Sequence, residues 1–250
     1  MRLLRRIFIL LLLFISTTCI KAQRIYVISV GIADYQHIND LTYTEADVRS
    51  FNDIMSQHNA EIVILTGAQA SHTNIIKTMR YVFAKATPSD AVVFFFSGHG
   101  YEGGFCCYNM KPNSQLGGIS YQEMQILFRN CRAGKKIVFA DACFSGGLSK
   151  QRTQLQVQAV ANNDVMFFLS SKLDETSLEL PNGPNGLYTY FLVKGLCGEA
   201  DTNKNSIVTA GEIYNYVSVN VSTWANQIPH NQHPTVWGNF DKNMPVLDWR

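Results

Sequence analysis

The chain is short of extremes, and what it lacks narrows the field. Lys plus Arg number 21 and Asp plus Glu 19, so there is almost no net charge. Beyond the first residues no basic block is available to grip a phosphate backbone, which argues against a nucleic-acid partner. Six cysteines in 250 residues are too few for a disulfide scaffold. Internal repeats are missing, and so is any linker rich enough to split the chain into domains. The one long apolar run, residues 7–15, is too short to span a bilayer.

That run has the context of a secretory leader. Arg2, Arg5 and Arg6 precede it, and residues 16–23 form a polar exit with Ala22 as the cleavage residue. Residues 1–22 are therefore read as a signal peptide and 23–250 as one mature domain, secreted or periplasmic. An uncleaved anchor is the alternative. A lipid on Cys19 is disfavoured, because Ser16-Thr17-Thr18 supplies no apolar residue before the cysteine. Cleavage removes Arg2, Arg5, Arg6 and Lys21 and no acid, leaving 17 basic against 19 acidic residues, a net charge of −2. No membrane attachment is expected after cleavage. Five cysteines stay: Cys106, Cys107, Cys131, Cys143 and Cys197. In an oxidising compartment an odd count implies a free thiol. Cys131 and Cys197 read as buried apolar fillers. Pairing among the four other than Cys143 is left open.

The mature chain alternates between strand-like and helix-like segments. Residues 24–31, 61–66, 91–97, 136–142 and 165–171 are β-branched or aromatic runs, as buried strands are. Between them, Val48, Phe51 and Met55 recur at helical spacing behind a capping Thr44. Ile75, Ile76, Met79, Val82 and Phe83 mark a second helix. Ser120 and Glu123 form a capping box before Met124, Leu127 and Cys131. Residues 103–118 read as a loop or small hairpin, and 149–163 as a long polar loop. Helices follow at 187–196 and around Ile213, Val217, Val221 and Trp224, and the tail from residue 227 is loop with short strands. This order predicts an α/β/α sandwich on a mainly parallel sheet of about six strands.

Two of the strands end in chemistry. One runs into Ser97-Gly98-His99-Gly100, the other into Asp141-Ala142-Cys143-Phe144-Ser145-Gly146. Each is expected to deliver one reactive side chain just past its carboxyl end, where open α/β sheets build their sites. A thiol attacks as thiolate and needs a base or a helix amino terminus beside it. An imidazole and a thiol delivered together make a nucleophile with its base, and the flanking glycines allow the backbone to approach an oxyanion.

These two motifs resemble the catalytic motifs of the caspase-like cysteine peptidases, the metacaspase branch in particular. Residues 30–35 with 41–47, the pair 168–171 and 174–177, and residues 186–201 extend the resemblance over most of the mature chain. It implies a caspase-like fold, His99 as catalytic imidazole, Cys143 as nucleophile, and the N–H groups of Gly100 and Cys143 as the oxyanion donors. The chemistry would pass through a thioester and need no cofactor. Positions that read aspartate in caspases proper are here Leu41, Asp141 and Glu179, with no arginine among them. An acidic pocket repels an acidic substrate and accepts a cation. Metacaspases use two aspartates, matched here by Asp141 and Asp47, so cleavage of peptides or proteins after Arg or Lys is expected. Asp47 also fits a first-turn acid serving the helix dipole.

The resemblance fails for calcium. Between Asp90 and Asp141 only Glu102 and Glu123 are acidic, so the metacaspase calcium cluster has no counterpart. A separate candidate, Asp201, Asn203, Asn205 and Glu212, follows calcium-loop spacing with Ser206 where a glycine is usual. The same residues fit an Asn-rich turn and a Thr209–Glu212 capping box, and calcium stays open. Lys150 and Arg152 sit in the loop after Cys143, where an enzyme specific for basic residues could process itself. Two other readings stand beside the peptidase: a catalytically latent interaction or signalling module, and a relative specific for Asp or Asn. Oligomeric state is left open.

Overall fold

A computed structural model describes residues 23–112, 114–143, 165–172, 174–181, 183–238 and 241–250. The expected signal peptide, residues 1–22, and the expected loop at 149–163 lie outside the described residues. Along the chain come β1 (Ile25–Gly31), α1 (Thr44–Gln57), β2 (Glu61–Thr66), α2 (His72–Lys85), β3 (Ala91–Tyr101), β4 (Gly104–Cys106), β5 (Gly118–Ser120), α3 (Tyr121–Arg129) and β6 (Lys135–Cys143). Then follow β7 (Met166–Leu169), α4 (Leu187–Lys194), β8 (Ile207–Thr209), α5 (Ala210–Ala225), β9 (Thr235–Gly238) and β10 (Pro245–Asp248).

The main sheet runs β2-β1-β3-β6-β7-β9. Its first five strands are parallel, and β9 closes the edge antiparallel to β7. The central strands are buried on both faces, which is why they appear in the sequence as unbroken apolar runs. One face carries Ile28, Val30, Phe94, Phe96 and Val138 against α2 and α3. The other carries Val27, Phe95, Phe139 and Phe168 against α1, α4 and α5. There Phe51 of α1 stacks on Phe95 with ring centroids 4.4 Å apart. Losing a core ring of this kind costs about 3–5 kcal/mol. No described helix is long and apolar enough to cross a membrane.

Local departures from expectation have physical causes. β3 continues through His99 to Tyr101, and β6 through Cys143, because the ladder between them stays in register as far as His99↔Cys143. The two residues end their runs inside the strands and not beyond them. Thr44 is the first residue of α1, not its cap; Tyr43 occupies that position with no side-chain cap bond. Ser120 does cap α3, accepting the Glu123 N–H at 3.1 Å. Glu123 leaves the capping box half-closed because its carboxylate pairs with His72 at 2.9 Å. β7 stops at Leu169, since Ser170 turns its hydroxyl onto Ala142 of β6. Cys106, Cys107, Cys131 and Cys197 are all free. Cys131 is a buried filler as expected, but Cys197 is exposed. It lies in the wide turn Gly195–Glu199, which Gly198 ends at φ 109°.

Candidate active site

The register of β3 against β6 builds the site. Ser97 pairs with Asp141 and His99 with Cys143. Strand positions two apart share a face, so Ser97, His99 and Asp141 lie on the α1/α4 side of the sheet, at its carboxyl edge.

His99 is held by the segment after β1. Its Nε2 lies 2.9 Å from the Asn39 carbonyl. A carbonyl only accepts, so in the neutral ring Nε2 carries the hydrogen and Nδ1 is left as the basic nitrogen. The Tyr35 hydroxyl accepts the His99 N–H at 2.8 Å, and the two rings pack at 5.1 Å. Tyr35 is fixed in turn, its own N–H donating to Asp40 Oδ1 at 2.9 Å. Gly98 is needed at this crossing, because a Cβ there would lie 2.6 Å from the Tyr35 hydroxyl. Gly100 sits opposite Phe105 in the β3–β4 pairing. Residues 144–150, with Lys150, and Arg152 lie outside the described residues.

Beside this rung is a cavity of about 370 Å³. Its wall includes Leu41, Thr44, Asp47, Ser97, Asp141, Ser177, Leu178, Glu179 and Gly186. Asp47 and Asp141 are buried, at 2% and 6% exposure, whereas Glu179 is exposed at the wall. Asp47 accepts Ser97 Oγ at 2.7 Å and the Gly186 N–H at 3.0 Å. Asp141 accepts the Thr189 N–H at 3.1 Å and Thr189 Oγ1 at 2.8 Å, and the Ser177 hydroxyl bonds it as well. Gly186 and Thr189 belong to the start of α4, so the positive end of a helix faces both acids. Among the described residues neither acid forms an ion pair.

Burial pushes both carboxyl pKa values up. The charge of Asp141 adds to the rise at Asp47, and that of Glu179 to the rise at Asp141. A Cβ on Gly186 would lie 2.5 Å from Asp141 Oδ2 and 3.3 Å from Asp47 Oδ2. The two oxygens are therefore within about 6 Å of each other, where like charges at an effective dielectric of about 20 repel by roughly 3 kcal/mol. Such a pair is relieved when one carboxylate takes up a proton or when a cation enters between them.

The structure thus brings together Asp47, Asp141 and Glu179 beside the His99–Cys143 rung. It also supplies residues that sequence reasoning missed: Tyr35, Asn39, Ser97, Ser177, Gly186 and Thr189. Ser97 was within reach, since it stands two before His99 as Asp141 stands two before Cys143. The calcium candidates stand apart, in the turn before β8 and the first turn of α5. Thr209 and Glu212 close a full capping box. Asp201, Asn203 and Asn205 accept N–H groups of their own loop at 2.8–3.2 Å. Glu212 Oε1 accepts from Thr202 and Asn203. Among the described residues no group of three or more His, Cys, Asp or Glu is gathered as a metal site.

A family model for the caspase domain matches residues 24–244. The chain belongs to the caspase-domain family. Membership makes it a relative of cysteine peptidases, with peptides or proteins as the substrate class. No curated protein sequence matches it. Among solved structures, the caspase-domain chain is similar to protein GSU0716 from Geobacter sulfurreducens. Identity is 15% over 91% of this chain and 100% of that one, with a TM-score of 0.65. At that identity the likeness speaks for the fold alone.

Proposed function

We propose that this caspase-domain protein is a cysteine endopeptidase, acting after export, that cleaves after Arg or Lys. The observation that carries the specificity is the buried Asp47–Asp141 pair, which has no cation partner among the described residues. Position 141 lies two residues before 143 on one strand, about 7 Å back along the same face. That is about the reach of an extended Lys or Arg side chain, whose carbonyl would then meet Cys143. An Asp or Asn side chain is too short to reach the pair, and an Asp would add a third charge to it.

In this reading His99 Nδ1 takes the Cys143 proton. The sulfur attacks the carbonyl carbon, and the oxygen takes up the negative charge beside the Gly100 and Cys143 N–H groups. Collapse expels the amine, which leaves with the proton from His99. Water, deprotonated by His99, then attacks the thioester and frees the acid and the thiol. Side chains and water suffice, and no step passes through calcium.

The test is hydrolysis of matched fluorogenic peptides ending in Arg, Lys, Asp or Asn, by the mature protein and its Cys143→Ala form. Turnover of Arg or Lys peptides alone, lost with Cys143→Ala, is expected. Preference for Asp or Asn would overturn the pocket assignment. Failure on all four, together with failure of an electrophilic peptide to label Cys143, would overturn the enzyme. Lys150 and Arg152 are the proposed self-processing sites. Mass spectrometry should find cuts after them in the wild type and an intact Cys143→Ala chain.

A further inference from the structure

The cavity wall carrying Ser177 and Leu178 belongs to a segment with little regular structure of its own, running from the end of β7 towards α4. What holds it comes from elsewhere in the chain. Gln232, between α5 and β9, has 0% exposure. Its Oε1 accepts the Leu178 N–H at 2.9 Å, and its Nε2 donates to the Ser170 carbonyl at 3.0 Å. Its own carbonyl accepts Ser222 Oγ of α5 at 3.1 Å. One buried amide therefore spans both ends of the wall segment and is anchored to a helix.

The neighbours of Gln232 grip the same segment. His230 Nε2 lies 2.9 Å from the Thr176 carbonyl. The His233 N–H donates to Glu175 Oε2 at 2.6 Å. From Ser170 the network continues inward. The Ser170 hydroxyl bonds the Ser177 hydroxyl, and Ser177 bonds Asp141. Gln232 does not line the cavity, yet it bonds the wall residue Leu178 directly and reaches Ser177 through Ser170, and Asp141 through Ser177.

We infer that Gln232 is a positioning residue for the specificity pocket. Its amide sets the distance of the Ser177–Leu178 wall from Asp141, and so the affinity for a cationic side chain, without touching substrate. Both polar ends of the amide are satisfied in a dry setting, so no apolar side chain of equal length can replace it without freeing the Leu178 N–H and the Ser170 carbonyl. The inference rests on the Arg/Lys reading above.

The experiment uses agmatine, the side chain of arginine as a free amine, binding to the mature protein by calorimetry. Gln232→Met keeps the length and removes both hydrogen bonds. Gln232→Glu keeps the acceptor for Leu178 and serves if the Met variant does not fold. Agmatine binding should weaken by about ten- to a hundredfold in Gln232→Met, the usual scale for a small displacement at a binding site. The Leu178 amide should exchange faster, while iodoacetamide alkylates Cys143 at an unchanged rate. If wild type and variant bind agmatine equally, the inference is overturned. If alkylation slows together with binding, Gln232 serves the whole edge of the sheet, and the inference is equally overturned. If the wild type itself binds no agmatine, the Arg/Lys reading fails first and takes the inference with it. Leu178 exchange then reports separately whether Gln232 holds the wall.

Discussion

At the scale of single residues, Asp47 answers two opposed demands. Its burial and its like-charged neighbour destabilise the fold, and the same features are what a cationic side chain would relieve. A carboxyl whose folded pKa is raised stabilises fully below its unfolded pKa, and that contribution is lost as pH rises through the folded one. Asp47→Asn should therefore raise the melting temperature at weakly alkaline pH, by the equivalent of about 1–3 kcal/mol, and leave it unchanged in acid. The same change should raise KM for Arg peptides by about a hundredfold, as expected when a buried charge partner is lost. Thermal melts at the two pH values, with kinetics on the same preparations, check both; a melting temperature that does not rise in alkali would refute the argument. Gly186 shows the steric side of this pocket. A Cβ there enters the space held by Asp141 Oδ2. Gly186→Ala should raise KM at least as much as Asp47→Asn but lower the melting temperature, so calorimetric scans separate the two.

At the scale of elements, the segment from the end of β1 to the start of α1 serves His99 while α4 serves the acids. Tyr35→Phe removes one acceptor and leaves the ring. It should lower kcat about tenfold with KM within a factor of two, because the His99 N–H loses its partner and the imidazole its fixed approach. A change confined to KM would place Tyr35 on the pocket instead. This division of labour was only partly legible in the sequence. The strands were, because burial on both faces leaves an unbroken apolar run. His99 and Cys143 were, because each closes such a run in a distinctive motif. Their placement on one rung was not, since register between strands more than forty residues apart leaves no local periodicity. Thr189, Gly186 and Gln232 were hidden for a related reason. They act through hydrogen bonds across 48, 139 and 54 residues, and nothing near them in the chain marks those contacts. Asp47 was named from family likeness; it stands in the first turn of α1, as its helix-dipole alternative expects, and it also lines the cavity.

At the scale of the molecule, a parallel sheet sends the carboxyl ends of β3 and β6 to one edge, and α1 and α4 begin there too. The His99–Cys143 rung and the acid pair are thus neighbours, and burial raises the pKa values of the acids, which makes pH a way to probe the pocket. A protonated pocket offers a cation no charge. As pH rises through the raised range of Asp47 and Asp141, the pair ionises, and KM for an Arg peptide should fall. Alkylation of Cys143 by iodoacetamide needs no pocket, so its pH profile should be the same in the wild type and in Asp141→Asn. In Asp141→Asn the like charge beside Asp47 is gone, so the remaining inflection should move towards the ordinary carboxylate range. The decisive comparison is therefore KM against pH in the wild type and in Asp141→Asn, with the alkylation rate followed in both. A KM that stays flat from acid to weakly alkaline pH would mean that the two carboxylates do not bind the substrate, whatever their position beside the dyad.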